Sequence, residues 1–227
     1  MEFMLVFTER EDAPTMEPNP ANDRTPLVDE LTRSGRLHTA AVATLARGAS
    51  VRVRAGETLM TEGVVVENGE IVSGFWIVEA ADRAAAIELA RRTLGARSGA
   101  VEVHAVSWRE SAASRDPGKP FLFIFRVEPG LTDPDGSKLA AMKEFLLGAL
   151  KGADKLVETA PLDRSVLAAR VELSGGKPVV TDGPFAETKE GVGGYAIVRL
   201  TGYGAALELA KRFPHAGWGP VEVREII

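Results

Sequence analysis

The residues with chemistry to offer gather in the last fifth of the chain. Thr181-Asp182-Gly183-Pro184-Phe185-Ala186-Glu187-Thr188-Lys189-Glu190 runs into Gly193-Gly194-Tyr195, and His215 and Trp218 follow further on. Asp-Gly-Pro is strong turn chemistry: Asp bonds its own backbone, Gly tolerates positive φ, and Pro fixes the next φ. Asp182 can therefore be a turn residue at the mouth of a sheet. Equally, a desolvated Asp182 carboxylate facing a cleft would have a raised pKa and could take or give a proton. Around it, Gly183 and Pro184 would shape the mouth and Phe185 would supply an apolar wall. Glu187, Lys189 and Glu190 read either as a solvated, mutually paired face or as a charged lip that selects a polar substrate. Tyr195 could donate a hydrogen bond into the cleft, and His215, beside Trp218, is the best proton-transfer partner for Asp182. His38 and His104 fall in strand-like runs and read as structural.

Other chemistries find no support. The chain has no cysteine and three histidines, so disulfides, thiolate ligands and a cysteine nucleophile are excluded, and a histidine-rich metal site is not expected. No Gly-x-Ser-x-Gly elbow, Walker-type phosphate loop or zinc-spaced histidine pair occurs. Gly191-Val192-Gly193-Gly194 leads into a strand rather than a helix, so it is not a dinucleotide signature. Neither a metal nor an organic cofactor is expected. With 227 residues, 45% hydrophobic and 26% charged, the composition is that of a globular protein of one large or two small domains. A net charge of −5 argues against nucleic acid as a partner. No apolar run approaches the ~18–20 residues of a membrane helix. Met1 leads straight into a strand-like run without the basic, apolar and cleavage regions of a secretory signal. A cytoplasmic protein that meets neither membrane nor nucleic acid is expected.

The elements that must position the candidate residues come from an internal repeat. Residues 49–106 align with 169–226 without a gap, and 22 of the 58 positions are identical. Each copy reads as the same series. A first strand covers residues 3–8 or 121–127. A helix follows; Thr25 caps the first before Pro26 and Gly35 ends it, while Asp133-Pro134 fills the capping role in the second. Leu139, Met142, Leu146 and Leu150 form one helical stripe. Then come strands over 37–45 and 51–54 or 156–162 and 171–174, a Gly-containing turn, a strand at 74–79 or 194–200, an Ala/Leu helix, and a closing strand at 101–106 or 221–226. The order β-α-β-β-α-β is a ferredoxin-like α+β unit. Such a sheet has one face under helices and one bare, so two units should pack bare face to bare face. The boundaries expected are residues 1–109, a linker at 110–120, and 121–227. Copy one carries the whole net negative charge.

The run from Thr181 to Glu190, with Gly193-Gly194-Tyr195, resembles the signature of the YCII-related family, in its DGPF-motif branch. Copy one carries a degraded version, Thr61-Glu62-Gly63-Val64-Val65-Val66-Glu67. The resemblance implies a dimeric α/β barrel of ferredoxin-like units, here supplied by one chain as an intrachain pseudo-dimer, with further homodimerisation open. Some related proteins look like small-molecule lyases or dehydrochlorinases that use a His/Asp pair. Neither 26–33 nor 137–147 contains the histidine such a member would carry in its first helix. The expected function is binding of a small polar molecule in the cleft between the sheets, with cofactor-independent acid/base chemistry of lyase or isomerase type. The alternative is a non-catalytic regulatory or interaction module, because relatives are often encoded beside sigma factors.

Overall fold

A computed structural model describes residues 1–11, 26–94, 99–128, 131, 133, 135–163, 168–183 and 190–226. The first half contains β1 (Glu2–Arg10), α1 (Pro26–Arg33), β2 (Leu37–Arg54), β3 (Glu57–Glu62), β4 (Val66–Glu67), β5 (Glu70–Glu79), α2 (Arg83–Thr93) and β6 (Ala100–Ala105). A short β7 (Glu110–Ser111) leads into the second half. There, β8 (Lys119–Val127) and α3 (Ser137–Glu144) are followed by a π-helical segment (Phe145–Lys151), β9 (Leu156–Pro161), β10 (Ala169–Ser174) and β11 (Lys177–Asp182). The chain then forms β12 (Gly191–Leu200), α4 (Tyr203–Arg212), a 3-10 turn (Pro214–Gly217) and β13 (Val221–Ile226). The molecule is mostly antiparallel sheet with four α-helices among the described residues, in two repeated units of ferredoxin-like order.

β1 and β8 carry unbroken apolar runs over residues 3–7 and 121–125, and both faces of these runs are buried. Phe3, Leu5 and Phe7 alternate with Met4 and Val6 to join two different clusters. The first set packs under α1 and α2, the second meets side chains of the other unit. In the second unit Phe121, Phe123 and Phe125 pack on the helix side, and Leu122 and Ile124 on the opposite face. Continuous apolar runs are what a strand covered on both faces requires.

Three local expectations are corrected. Residues 37–54 form one strand, not two: residues 37–42 pair with β5 of the first unit, and 43–51 pair with β13 of the second. Gly48 permits the crossing, because a Cβ there would come within 2.9 Å of the Arg224 side chain and 3.2 Å of the Gly63 carbonyl oxygen. Asp133 is not the N-cap of α3. Gly136, with φ 69°, takes that place, and the Asp133 carboxylate accepts from the N–H groups of Lys138 (3.0 Å) and Leu139 (2.9 Å). His215 belongs to the 3-10 turn rather than to an open loop. Thr25 lies outside the described residues.

The exchange of strands is reciprocal. Ala49 and Val51 of the first unit pair with Val223 and Val221, while Ala169 and Val171 of the second pair with Val103 and Val101. Each unit thus lends a hairpin, β2–β3 or β10–β11, to the other's sheet. Residues related by the repeat also meet each other directly. Phe75 lies 4.3 Å from Tyr195, its counterpart, and the hydroxyl of Thr39 donates to both oxygens of Glu158 at 2.7 Å. Thr39 pairs with Ile77 as Glu158 pairs with Ile197, so these two are also counterparts. Equivalent positions meet in this way close to an axis that relates the two copies.

Glu158 is buried and also accepts from Arg109 (3.3 Å) and from the Tyr195 hydroxyl. A charge in this position is tolerated because several donors face it. Glu158→Gln is expected to destabilise the chain by about 1–3 kcal/mol, and Tyr195→Phe by less, since Phe leaves Glu158 two other donors. The two losses should not add in a denaturation double-mutant cycle, because both changes act on one carboxylate.

Candidate functional site

Two cavities flank β8, one on each of its faces. The first, of about 330 Å³, lies in the second unit between α3 and the sheet. Phe125, Met142, Leu146, Thr159, His215 and Trp218 line it, with Trp108 at one side. The second, of about 420 Å³, opens at one end of the interface between the two units. Its walls carry Thr8, Glu70, Glu102, Arg126, Arg170 and Glu190.

His215 lies on the wall of the first cavity, whose lining also includes Asp133, Lys138 and Asp163. The 3-10 turn that carries His215 starts at Pro214, which cannot continue α4. The ring is buried, 5.3 Å from Phe125 and 6.1 Å from Trp218 between ring centres. Its Nε2 lies 2.8 Å from the carbonyl oxygen of Arg126. A carbonyl only accepts, so Nε2 carries the proton and Nδ1 keeps the lone pair. Burial lowers the pKa of His215 from the ordinary 6.5, and the bond to the Arg126 carbonyl opposes this in part. At neutral pH the imidazole is therefore uncharged and held in one tautomer and one orientation. Gly219 allows the arrangement, because a Cβ there would sit 2.3 Å from the same Arg126 carbonyl oxygen and 2.9 Å from His215 Nε2.

The other cavity is a set of charges already paired. Arg170 donates to Glu70 (Nη1, 2.9 Å) and Glu172 (Nε, 3.0 Å), with a carboxylate oxygen of Glu102 3.8 Å away. Glu190 accepts from Arg52 at 3.2 Å, and burial raises its pKa despite that arginine. Among the described residues, no group of three or more His, Asp or Glu side chains is placed to hold a metal ion.

The sequence-predicted residues separate. His215 and Trp218 line one cavity together. Tyr195 does not join them. It is fully buried at the inter-unit interface, hydrogen-bonded to Glu158, and its pKa is pushed well above the usual value by burial and then by that carboxylate. Asp182 ends β11 on the lent hairpin, with a side chain 64% exposed and paired to Arg83 at the start of α2. Asp182 lines neither cavity. Gly183 is buried and donates to the Ala168 carbonyl at 2.9 Å, as its counterpart Gly63 donates to Gly48 at 2.8 Å. The Asp-Gly pair thus closes the lent hairpin in the second copy as Glu62-Gly63 does in the first. Pro184, Phe185, Glu187 and Lys189 lie outside the described residues.

Sequence reasoning missed Phe125, Met142, Leu146, Thr159 and Trp108 as site residues. One signal was available: the repeat sets Gly95 against His215 and Ser98 against Trp218, so the polar and aromatic walls belong to the second copy alone.

Fold and cavity define a class, a twice-repeated ferredoxin-like α+β protein with a histidine-walled cavity in its second unit. The model of the YCII-related domain matches residues 1–109 and 138–227, and the chain belongs to that family. It is also similar to an uncharacterized protein of Rhizobium meliloti (strain 1021), with 37% identity over 76 residues, which are 33% of this chain and 61% of that protein. The chain therefore spans about three-fifths of the length of this relative. No helix of the described residues is long and apolar enough to cross a membrane.

Proposed function

We propose that the chain is a small-molecule-binding protein of the DGPF-motif branch of its family, built as an intrachain dimeric α/β barrel, with its binding site in the second-unit cavity. His215 is its proton-transfer base, for chemistry of lyase or isomerase type on a small molecule with an apolar body. The observation that carries this reading is the neutral, oriented imidazole on the wall of a mostly apolar cavity. The contacts between Phe75 and Tyr195 and between Thr39 and Glu158 support the barrel. Asp182 is a positioning residue in this reading: its bond to Arg83 ties the lent hairpin to the first unit.

A thermal-shift screen of small cyclic and acidic metabolites tests the reading. A ligand at about 100 times its dissociation constant adds about 2.7 kcal/mol of stability. Hits are expected to disappear in Trp218→Ala and to survive in Asp182→Ala. Hits lost with Asp182 and kept without Trp218 would move the site to the motif and overturn the reading. A second reading, a non-catalytic interaction module, has one observation in its favour: the lent hairpins expose Leu59, Met60, Leu173 and Val179. A blank screen together with a stable protein partner would favour it.

A further inference from the structure

The two units differ in bulk at one pair of equivalent positions on their helix-side faces. In the first unit Trp76 stands on β5 opposite Leu5 and Ala40. In the second, Ala196 stands on β12 opposite Phe123 and Thr159. Both belong to the helix-side cluster of their unit. The indole of Trp76 packs edge-on against Phe7, with ring centres 5.1 Å apart and planes at 76°. Phe7 pairs with Val101 as Phe125 pairs with Val221, so Phe125 is its counterpart, and Phe125 lines the open cavity. Where the first unit has an indole on a phenylalanine, the second has a methyl group and an empty space beside one.

The indole is also a misfit. Trp76 is only 4% exposed, and its Nε1 is buried with no hydrogen-bond partner among the described residues. Buried donors are normally paired, and an orphan calls for an explanation. The position opposite Trp76 is Ala40, which has no acceptor on its side chain. The matching position in the second unit is Thr159, which lines the cavity and whose hydroxyl donates to the Tyr195 carbonyl at 2.6 Å, so that its oxygen is left to accept.

We infer that Trp76 is a built-in occupant of the first unit's copy of the cavity, and that the open cavity of the second unit admits a ligand of the same form, a flat aromatic ring bearing a hydrogen-bond donor. The inference rests on the reading of the second-unit cavity as the binding site. The ring seats edge-on against Phe125, and its donor reaches toward Thr159. Size permits this, since an apolar cavity of about 150 Å³ already accepts benzene, and this one measures about 330 Å³. Edge-to-face packing is a preferred aromatic arrangement. Duplication has thus left one open site per chain, with the other filled by the protein itself.

Calorimetric titration with indole, on the wild type and on Trp76→Ala, tests both halves. The wild type is expected to bind one indole per chain and Trp76→Ala two. Because truncating a buried tryptophan can unfold a unit, the count is repeated on Trp76→Leu with benzene as the probe, where one more equivalent than in the wild type is again expected. No additional equivalent on either variant would overturn the built-in occupant. A wild type that binds no indole, while Trp218-dependent hits persist in the metabolite screen, would overturn the ligand form and leave the binding-site reading standing. No indole and no hits would sink both.

Discussion

Replacing Glu222 with glutamine is expected to destabilise the chain by about 3–5 kcal/mol, a large fraction of the stability of an ordinary domain. Glu222 and Arg224 project from β13 toward the interface between the units, and both are 0% exposed. Glu222 Oε2 accepts from Arg126 Nε at 2.9 Å, and Glu222 Oε1 accepts from Arg224 Nη1 at 2.9 Å. Arg224 Nε also donates to the carbonyl of Thr44 at 3.0 Å, on the strand that crosses between the sheets. One carboxylate therefore compensates two buried guanidinium groups. Glutamine would leave both charges facing each other without it. Burial already lowers the Arg224 pKa, with Glu222 acting against that shift. Urea denaturation reads the loss directly. Replacing Arg126, Glu222 and Arg224 together by apolar side chains of similar volume should cost far less than the single change, because no uncompensated charge then remains. A single variant as stable as the wild type would mean that water reaches the triad.

That triad marks where sequence reading stops. Arg126, Glu222 and Arg224 stand at alternate strand positions that look solvent-facing in an isolated ferredoxin-like unit. They are buried because the second unit covers that face, and alternation has the same form whether water or another sheet lies opposite. The lent hairpins are hidden for the same reason: Val51 and Val171 satisfy a strand pattern equally well in either sheet. Repetition itself was plain, since strand, helix and closing strand keep register over 58 positions. The continuity of β2 was not, because Ala46, Arg47 and Gly48 look like a break until Gly48 is seen to make room for Arg224.

The site was half legible on similar grounds. His215 and Trp218 stand three residues apart in one turn, a local relation that a sequence displays. Asp182 meets Arg83 across 99 positions, and the wall residues of α3 and β9 come from other elements, relations that only the folded chain supplies. The helix stripe of Met142 and Leu146 pointed to a core, and it does face one. What the stripe could not announce is that the same residues also line a cavity together with Phe125, Thr159, His215 and Trp218.

His215→Gln carries the second large expectation. Once a substrate is in hand, loss of a positioned base should lower kcat by about 10²–10⁴-fold. Glutamine can still donate to the Arg126 carbonyl, so ligand affinity should change little, and the effect should fall on kcat rather than KM. The pH dependence separates this from a structural defect. The folded pKa of His215 is lowered from 6.5 by burial, whereas the unfolded chain keeps the ordinary value. As the pH falls below 6.5 the unfolded state takes up the proton first. The stabilising contribution is therefore complete above 6.5 and is lost as the pH falls through the window between that value and the lower folded pKa. The acid limb of kcat/KM in the wild type should lie below 6.5, because the free protein keeps its base neutral down to there. His215→Gln should lack the segment of acid destabilisation that the histidine causes, so the difference in stability between wild type and variant should shift in the variant's favour on going from pH 7 to pH 5. A variant that keeps the wild-type pH profile of stability would mean that this histidine is solvated. Full turnover in the same variant would place the base elsewhere.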